Sequence, residues 1–361
     1  MATSYSQTVT GLTAGTAYNF RVAAFNSAGT GTPSSPAVAT STSTASTNFS
    51  VSAGKVLTPS GATFVGKGVS VPDDQLSRWV TNAACQPLTA LFPGINMVRV
   101  PSYSYWGPST YSTYINRLTT AGIVVVLENH QNFAGNAGGG QGVVFTGSQL
   151  SAESSWYASL ASFFITNPLV WFGTNNEPST NPSPAALSTW QQATYNAIRG
   201  TGNKNIIEIE QPNPNQQGPG GGLTASVYRA MTGIVMGPHY YSWIWNGQSN
   251  NTSQATILSS AIGSNNSPSG GIIQQVGTIQ GLTSVDGTVP CGCFEFGPST
   301  NGQSLDVAGM NCVNAVIQAV NQGTLFSYMA WWINADGSPD ALTTSTTSTT
   351  SPYGATVKAD I

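Results

Sequence analysis

Eight short β-rich runs, each far enough from the next to leave room for a helix, constrain the fold of this 361-residue chain more than any other feature. They span residues 62–71, 96–101, 122–130, 169–177, 205–211, 233–241, 291–295 and 326–334. Helical patterns fill several gaps: one over 111–121, and one over 151–165 that follows a Ser cap and repeats apolar residues at Trp156, Leu160, Phe163 and Phe164. Strand then helix, repeated eight times over about 270 residues, is the arithmetic of a (β/α)8 TIM barrel, an α/β fold. An open doubly wound sheet is the alternative, but no Gly-x-Gly-x-x-Gly turn follows the first run, and Gly66-Lys-Gly-Val-Ser does not make a phosphate loop. The Gly-rich stretches 138–142 and 218–222 therefore read as loops.

Composition narrows what such a barrel binds. Only 6% of residues are charged and the net charge is −3, which leaves nothing to neutralise a run of phosphates, so no nucleic-acid partner is expected. The longest apolar runs, such as 122–127, fall far short of the roughly 20 residues of a membrane span. Apolar content of 40%, with nine Trp, supplies ample core. Cys85, Cys291, Cys293 and Cys312 lack zinc-site spacing, so no metal or other cofactor is expected. Free thiols and one structural disulfide remain equally open. In a strand over 291–295, Cys291, Cys293 and Glu295 would share one face, making Cys293 a buried thiol beneath a functional residue.

Ser/Thr runs at 40–48 and 343–351 divide the chain. The expected segments are an N-terminal fragment (1–40), a linker (41–50), the barrel (51–340) and a Thr/Ser-rich tail (341–361). The first segment alternates Tyr18, Phe20 and Val22 before a Gly turn. With Leu12 and Tyr18 placed as in a tyrosine corner, it resembles the closing strands of a fibronectin type III domain. Two or three strands of a seven-stranded sandwich cannot bury an inner face, so this short β-rich piece is expected to be an inert remnant. No basic-then-apolar leader opens the chain; if the protein is exported, its signal peptide is absent here.

In a barrel, chemistry collects where strands end at the C-terminal face. The second run ends in Val98-Arg99-Val100-Pro101, the third in Leu127-Glu128-Asn129-His130 and the fourth in Asn175-Asn176-Glu177-Pro178. The sixth ends in His239-Tyr240-Tyr241, the seventh in Phe294-Glu295-Phe296-Gly297 and the eighth in Trp331-Trp332. Two glutamates facing each other across a barrel mouth are what acetal hydrolysis needs: one proton donor to the leaving oxygen and one anion at the oxocarbenium-like carbon.

These motifs, in this order, resemble glycoside hydrolase family 5, the cellulase and mannanase family, over residues 55–340. The resemblance implies Glu177 as general acid/base and Glu295 as nucleophile of a retaining reaction, with carboxyls about 5–5.5 Å apart. Arg99 and Tyr241 are then the groups able to keep Glu295 ionised, and Asn176 is placed for the sugar 2-hydroxyl. His130 and His239 are expected to line the same subsite. Successive strand residues point oppositely, so one of the Trp pair should floor the pocket, assigned here to Trp331, while the other packs outward. Trp79, Tyr103, Tyr105, Trp106, Trp243 and Trp245 are candidates for further subsites. Among the other strand glutamates, Glu208 is expected to face outward, and Glu128 and Glu210 are unassigned.

After the eighth run, residues 335–361 offer no obvious closing helix, which the family pattern expects. The expected activity is that of a secreted, monomeric endo-β-1,4-glucanase acting on β-glucan. A β-mannanase or other β-glucanase is the close alternative, and a non-catalytic carbohydrate-binding barrel the alternative of another class.

Overall fold

In a computed structural model of the chain, the residues described are 9, 12, 17–35, 38–41, 47–130, 144–178, 183–210, 225–241, 282–300, 304–305, 307–333, 341–344 and 349–361. The Gly-rich stretches 138–142 and 218–222, together with Trp243 and Trp245, lie outside them, as do parts of both Ser/Thr runs.

Nine parallel strands form the barrel: β1 (Gly66–Ser70), β2 (Met97–Ser102), β3 (Val124–Asn129), β4 (Val170–Gly173), β5 (Ile207–Glu210), β6 (Ile234–Gly237), β7 (His239–Tyr240), β8 (Cys293–Phe296) and β9 (Ser327–Ala330). They pair in the order β6-β5-β4-β3-β2-β1-β9-β8-β7. The strands β6 and β7 are one run broken at Pro238, which has no N–H for the ladder. One half pairs with β5 and the other with β8, so the ends of the sheet meet within a single stretch of chain. Met236 completes the closure, its N–H donating to Pro290 O and its carbonyl accepting from Gly292 N, each at 2.9 Å.

Helices cover the outside: α1 (Pro108–Thr120), α2 (Gly147–Phe163), α3 (Pro184–Arg199), α4 (Val307–Asn321) and α5 (Pro352–Asp360). Pro108 opens α1 in the first turn, where its missing N–H is harmless, and Tyr111, Ile115 and Leu118 form its buried stripe. The chain leaves α1 through Gly122, whose φ of 81° suits a residue without a Cβ.

Strand alternation sorts the core into two shells. Val98, Val100, Val125, Leu127, Phe172, Ile207 and Ile209 enter the layer between strands and helices. Met97, Val124, Val126, Trp171, Val235, Phe294 and Met329 fill the interior. A hairpin, Ser50–Ser52 against Lys55–Leu57, closes the N-terminal end, with the rings of Phe49 and Phe64 edge-on to Trp171 at 5.3 and 5.6 Å. With that end dry and plugged, polar chemistry is left to the opposite mouth.

The N-terminal segment pairs Ala17–Phe20 antiparallel with Val38–Ser41 and Phe25–Asn26 with Gly29–Thr30, and leaves Val22 and Phe25 77% and 86% exposed. The C-terminal segment, whose sequence offers no obvious closing helix, does carry one. After its Thr/Ser run, Ser351 caps Gly354 N, Pro352 occupies the first turn, and α5 packs onto the barrel. Tyr353 and Val357 are fully buried, and the Tyr353 hydroxyl donates to Phe296 O at 2.7 Å. Asp360 accepts from Tyr328 and Asn321 and pairs with Lys67 of β1 at 3.0 Å. The low-complexity run obscured the helix because α5 is short and owes its place to tertiary contacts; a Cβ on Gly354 would lie 2.0 Å from Leu342 O.

Because α5 anchors β8 through one buried aromatic residue, Tyr353→Ala should lower unfolding free energy by about 3–5 kcal/mol. Urea denaturation followed by fluorescence checks this; a loss below about 1 kcal/mol would mean that α5 is dispensable.

Candidate active site

A single buried cation organises the mouth. Arg99, on β2, is 1% exposed, the only buried member of the ten Lys and Arg residues among the described positions. Its Nη1 donates to Glu295 Oε2 at 2.5 Å, and its Nη2 to Glu128 Oε2 and Asn176 Oδ1, both at 2.7 Å. The fixed fork of a guanidinium lets one side chain position groups from three other strand ends.

Glu295 receives a second donor, the Tyr241 hydroxyl, at 2.8 Å on Oε1. Both its oxygens therefore meet donors, the arrangement of an ionised carboxylate. The pleat is interrupted beneath it: the β8–β9 register shifts between Cys293 and Phe296. Cys291 and Cys293 thus enter the strand–helix layer with Phe296 while Glu295 turns into the mouth, so the expected common face of Cys291, Cys293 and Glu295 is not found. Cys293 is buried, and its thiol donates to the Glu295 backbone oxygen at 3.2 Å; all four cysteines are free.

Glu177, just beyond β4, is 5% exposed and has φ of 39°, an uncommon conformation for a residue with a Cβ. Burial pushes its carboxyl above the usual range; the Glu128 charge adds to this, and His130 and Arg99 oppose it. Its Oε1 lies 2.8 Å from His239 Nδ1. One carboxylate oxygen each of Glu177 and Glu295 and a ring nitrogen of His239 lie within 4.8 Å of one another. This is the one such trio of His, Cys, Asp or Glu among the described residues, but the guanidinium on Glu295 already supplies the counter-charge a cation would bring. The trio suits proton and glycosyl transfer.

Asn176 is anchored at both ends, its N–H on Asn129 O at 2.9 Å and its Oδ1 on Arg99. Arg99 only donates, which fixes the amide orientation and turns Nδ2 to the remaining direction. His130 Nδ1 sits 2.6 Å from Glu128 Oε1. Burial alone would raise Glu128, but Arg99 and the His130 hydrogen bond outweigh it and hold the carboxyl below its ordinary value. His239 is driven down to about 3, chiefly by burial, with Glu295 opposing and Arg99 assisting, so it is a neutral imidazole.

Trp331 stacks on His130, with centroids 5.0 Å apart and planes 13° apart, and has the Arg99 guanidinium 5.7 Å from its ring. All eight site residues read from the sequence, Arg99, His130, Asn176, Glu177, His239, Tyr241, Glu295 and Trp331, thus meet at one end of the barrel. The Trp pair departs from strand alternation: the 331–332 peptide is cis and the two rings stack at 5.1 Å and 10°, so Trp332 lies on Trp331 instead of packing outward. Tyr103 adds a ring 4.8 Å from His130. Trp79 is 1% exposed in the outer core and is no subsite. Tyr105 and Trp106 are partly buried, packed on Trp156 and Tyr111 respectively.

Sequence reasoning missed three carboxyls. Glu208 does not face outward; it lies inside the barrel, where Gly173 and Gly237 make room: a Cβ on Gly237 would fall 1.9 Å from its Oε1. Glu210 lies 3.1 Å from His239 Nε2, and Glu128 is bound to Arg99. The signal was available, because Ile207 and Ile209 take the outer face and put Glu208 and Glu210 together on the inner one. Burial and neighbouring acids raise both well above the usual carboxylate range.

The comparisons with known proteins agree with this architecture. Cellulase (glycosyl hydrolase family 5) matches residues 60–335, and the fibronectin type III domain matches residues 2–40. A β-glucanase from Saccharophagus degradans superposes with a TM-score of 0.64 at 16% identity, covering 86% of this chain and 92% of its own. The catalytic domain of a mannanase from Streptomyces sp. SirexAA-E gives 0.59 at 20%, covering 88% and 91%. The catalytic domain of an endoglucanase from Thermobifida fusca gives 0.62 at 14%, covering 86% and 96%. No curated protein sequence matches the chain. The barrel, its mouth of carboxyls around Arg99 and the match over residues 60–335 together make the chain a glycoside hydrolase belonging to glycosyl hydrolase family 5.

Proposed function

We propose that the chain is a retaining endo-β-1,4-glucanase that cleaves β-glucan by double displacement. The observation that carries the reading is the asymmetry of two acids sharing one mouth. Glu295 has a donor on each oxygen, whereas Glu177 is buried and raised. Their nearest oxygens lie within 4.8 Å, which matches the roughly 5–5.5 Å of a nucleophile acting opposite an acid and leaves no room for the water an inverting enzyme interposes.

In this reading Glu177 gives its proton to the glycosidic oxygen as Glu295 attacks the anomeric carbon. Glu177 then takes a proton from the water that releases the sugar. Asn176 Nδ2 meets the sugar 2-hydroxyl, and Trp331 lies under the apolar face of the ring. A polymeric substrate cannot cross a membrane, so the enzyme acts outside the cell, as a monomer, since one chain holds the whole constellation. A solved relative is the Saccharophagus degradans β-glucanase in complex with cellotetraose, which supports a glucan. The second reading, a β-mannanase, is favoured by the higher identity of the mannanase relatives, 20% against 14–16% for the glucanases.

Sugar release from carboxymethyl cellulose, lichenan and galactomannan decides between the two, and the glucans are expected to be the faster substrates. Proton NMR of the first product should show the β-anomer; an initial α-anomer would overturn retention.

Glu295→Ala should abolish turnover while oligosaccharide binding persists in calorimetry, and hydrolysis by that variant would refute the nucleophile assignment. Glu177→Ala should lose about 10²–10⁴-fold on glucan. It should lose far less on an aryl glycoside whose leaving group needs no proton; equal losses would deny Glu177 the acid role.

The sign of the pH dependence follows from the raised carboxyl. Glu177 works protonated, so activity should persist above the ordinary carboxylate pKa and fall as pH rises through the raised value. The kcat/KM profile measures this limb, which should be missing for Glu177→Ala on the aryl glycoside.

A further inference from the structure

One buried carboxyl takes no part in the proposed mechanism and has no cation beside it. Asp73, in the turn after β1, is the one buried aspartate among the described residues and belongs to none of their ion pairs. Hydrogen-bond donors take the place of a cation, because the chain leaving β2 wraps around it. Tyr103 N donates to Oδ1 at 3.1 Å, Ser104 N to Oδ2 at 2.9 Å and Ser104 Oγ to Oδ1 at 3.4 Å. Successive backbone N–H groups on the two oxygens of one carboxyl make a nest of the kind that binds anions. Two hydroxyl hydrogens serve the remaining triangle of Ser102 Oγ, Tyr111 Oη and Oδ2, whose sides are 2.6, 3.0 and 3.2 Å. Ser102 donating to Tyr111, and Tyr111 to Oδ2, takes the two shorter sides and uses each hydrogen once. Ser102 Oγ then still accepts from Tyr105 N at 3.3 Å.

The same turn holds strained backbone. Tyr105 has φ of 48°, a conformation that persists in a residue with a Cβ only where its surroundings impose it. Here its N–H is on Ser102 and its hydroxyl donates to Asn129 Oδ1, at the end of β3, at 2.5 Å. Residues 102–105 are thus pinned by Asp73 on one side and by Asn129 on the other, and Tyr103 stands between the pins. The clamped stretch reaches the mouth twice. Ser102 O accepts from His130 N at 3.2 Å, and the Tyr103 ring packs on the His130 ring at 4.8 Å. His130 in turn stacks on Trp331 at 5.0 Å.

Resting on the reading of Trp331 as the sugar platform, we propose that Asp73 is a positioning residue: its carboxyl fixes the 102–105 turn so that Tyr103 braces His130, and through it Trp331, beneath the sugar. Asp73 itself touches no substrate and moves no proton. An amide in its place would offer one acceptor oxygen and turn an NH2 toward groups that donate. Buried N–H or O–H donors would then lose their partner, and the turn would have to shift to find others. A side chain that merely filled the space behind the turn would not carry that shift to the ring stack.

The chain has two histidines, so their ring-proton resonances can be assigned by comparison with His130→Asn. Ring currents of Tyr103 and Trp331 displace those of His130 in the free enzyme. Asp73→Asn should move them toward the positions of an unstacked histidine and leave those of His239 in place; unmoved His130 signals in the folded variant would overturn the proposal. In kinetics on the glycan it cleaves faster, Asp73→Asn should raise KM about 10-fold and lower kcat by less. Tyr103→Ala should do the same, and the double variant should be no worse than Tyr103→Ala alone. Losses that multiply would mean that Asp73 does not act through Tyr103. Should Asp73→Asn fail to fold, Tyr103→Ala carries the test, and unchanged His130 signals and KM in that variant refute the bracing. Trp331→Ala separates the two readings. An unchanged KM there removes the platform itself, whereas a raised KM there with a normal one in Asp73→Asn overturns the role of Asp73 alone.

Discussion

The mouth of this barrel is built on a guanidinium taken out of water. Desolvating Arg99 is expensive, and the cost is met only because carboxylates of Glu295 and Glu128 and the amide of Asn176 all accept from it. The relation runs both ways. Without Arg99, Glu295 and Glu128 would be buried anions with no counter-charge, so the same ion pair that orients the proposed nucleophile also permits the acids to be inside at all.

One cation does not balance the rest. All six glutamates of the chain are buried, and five of them, Glu128, Glu177, Glu208, Glu210 and Glu295, lie in or beneath the mouth. The protein answers the excess by position. Glu128 and Glu295, next to the guanidinium, have donors on their oxygens, while Glu177, Glu208 and Glu210, farther from it, are pushed upward by burial. The sixth, Glu153 on α2, is raised to about 7 by burial and takes hydrogen bonds from Asn129 and Trp190 at 2.8 and 2.6 Å, bracing the end of β3 from outside. A division between a donor-held carboxylate and a raised acid is what the proposed double displacement asks of Glu295 and Glu177.

Much of this was legible beforehand for a geometric reason. In a parallel barrel every strand ends on the same side, so polar residues closing successive apolar runs must converge however far apart they lie in the chain. Arg99, Glu177, His239 and Glu295 follow that rule. The failures are also geometric. Glu208 was read alone, without the parity that ties it to Glu210. Trp332 was placed by alternation at a point where the backbone no longer alternates. The helix α5 was hidden because a Ser/Thr run carries no periodicity, while the groups that hold the helix, Phe296 O, Lys67 and Tyr328, are supplied by distant strands.

The sequence by itself settled the succession of eight β-rich runs and the identity of the polar residues that close them, because these depend on spacing along the chain. Tertiary structure decided what those residues are chemically. Whether a carboxyl is held as an anion or pushed toward the acid form depends on charges and donors brought within about 3 Å from other strands. No local pattern encodes that proximity.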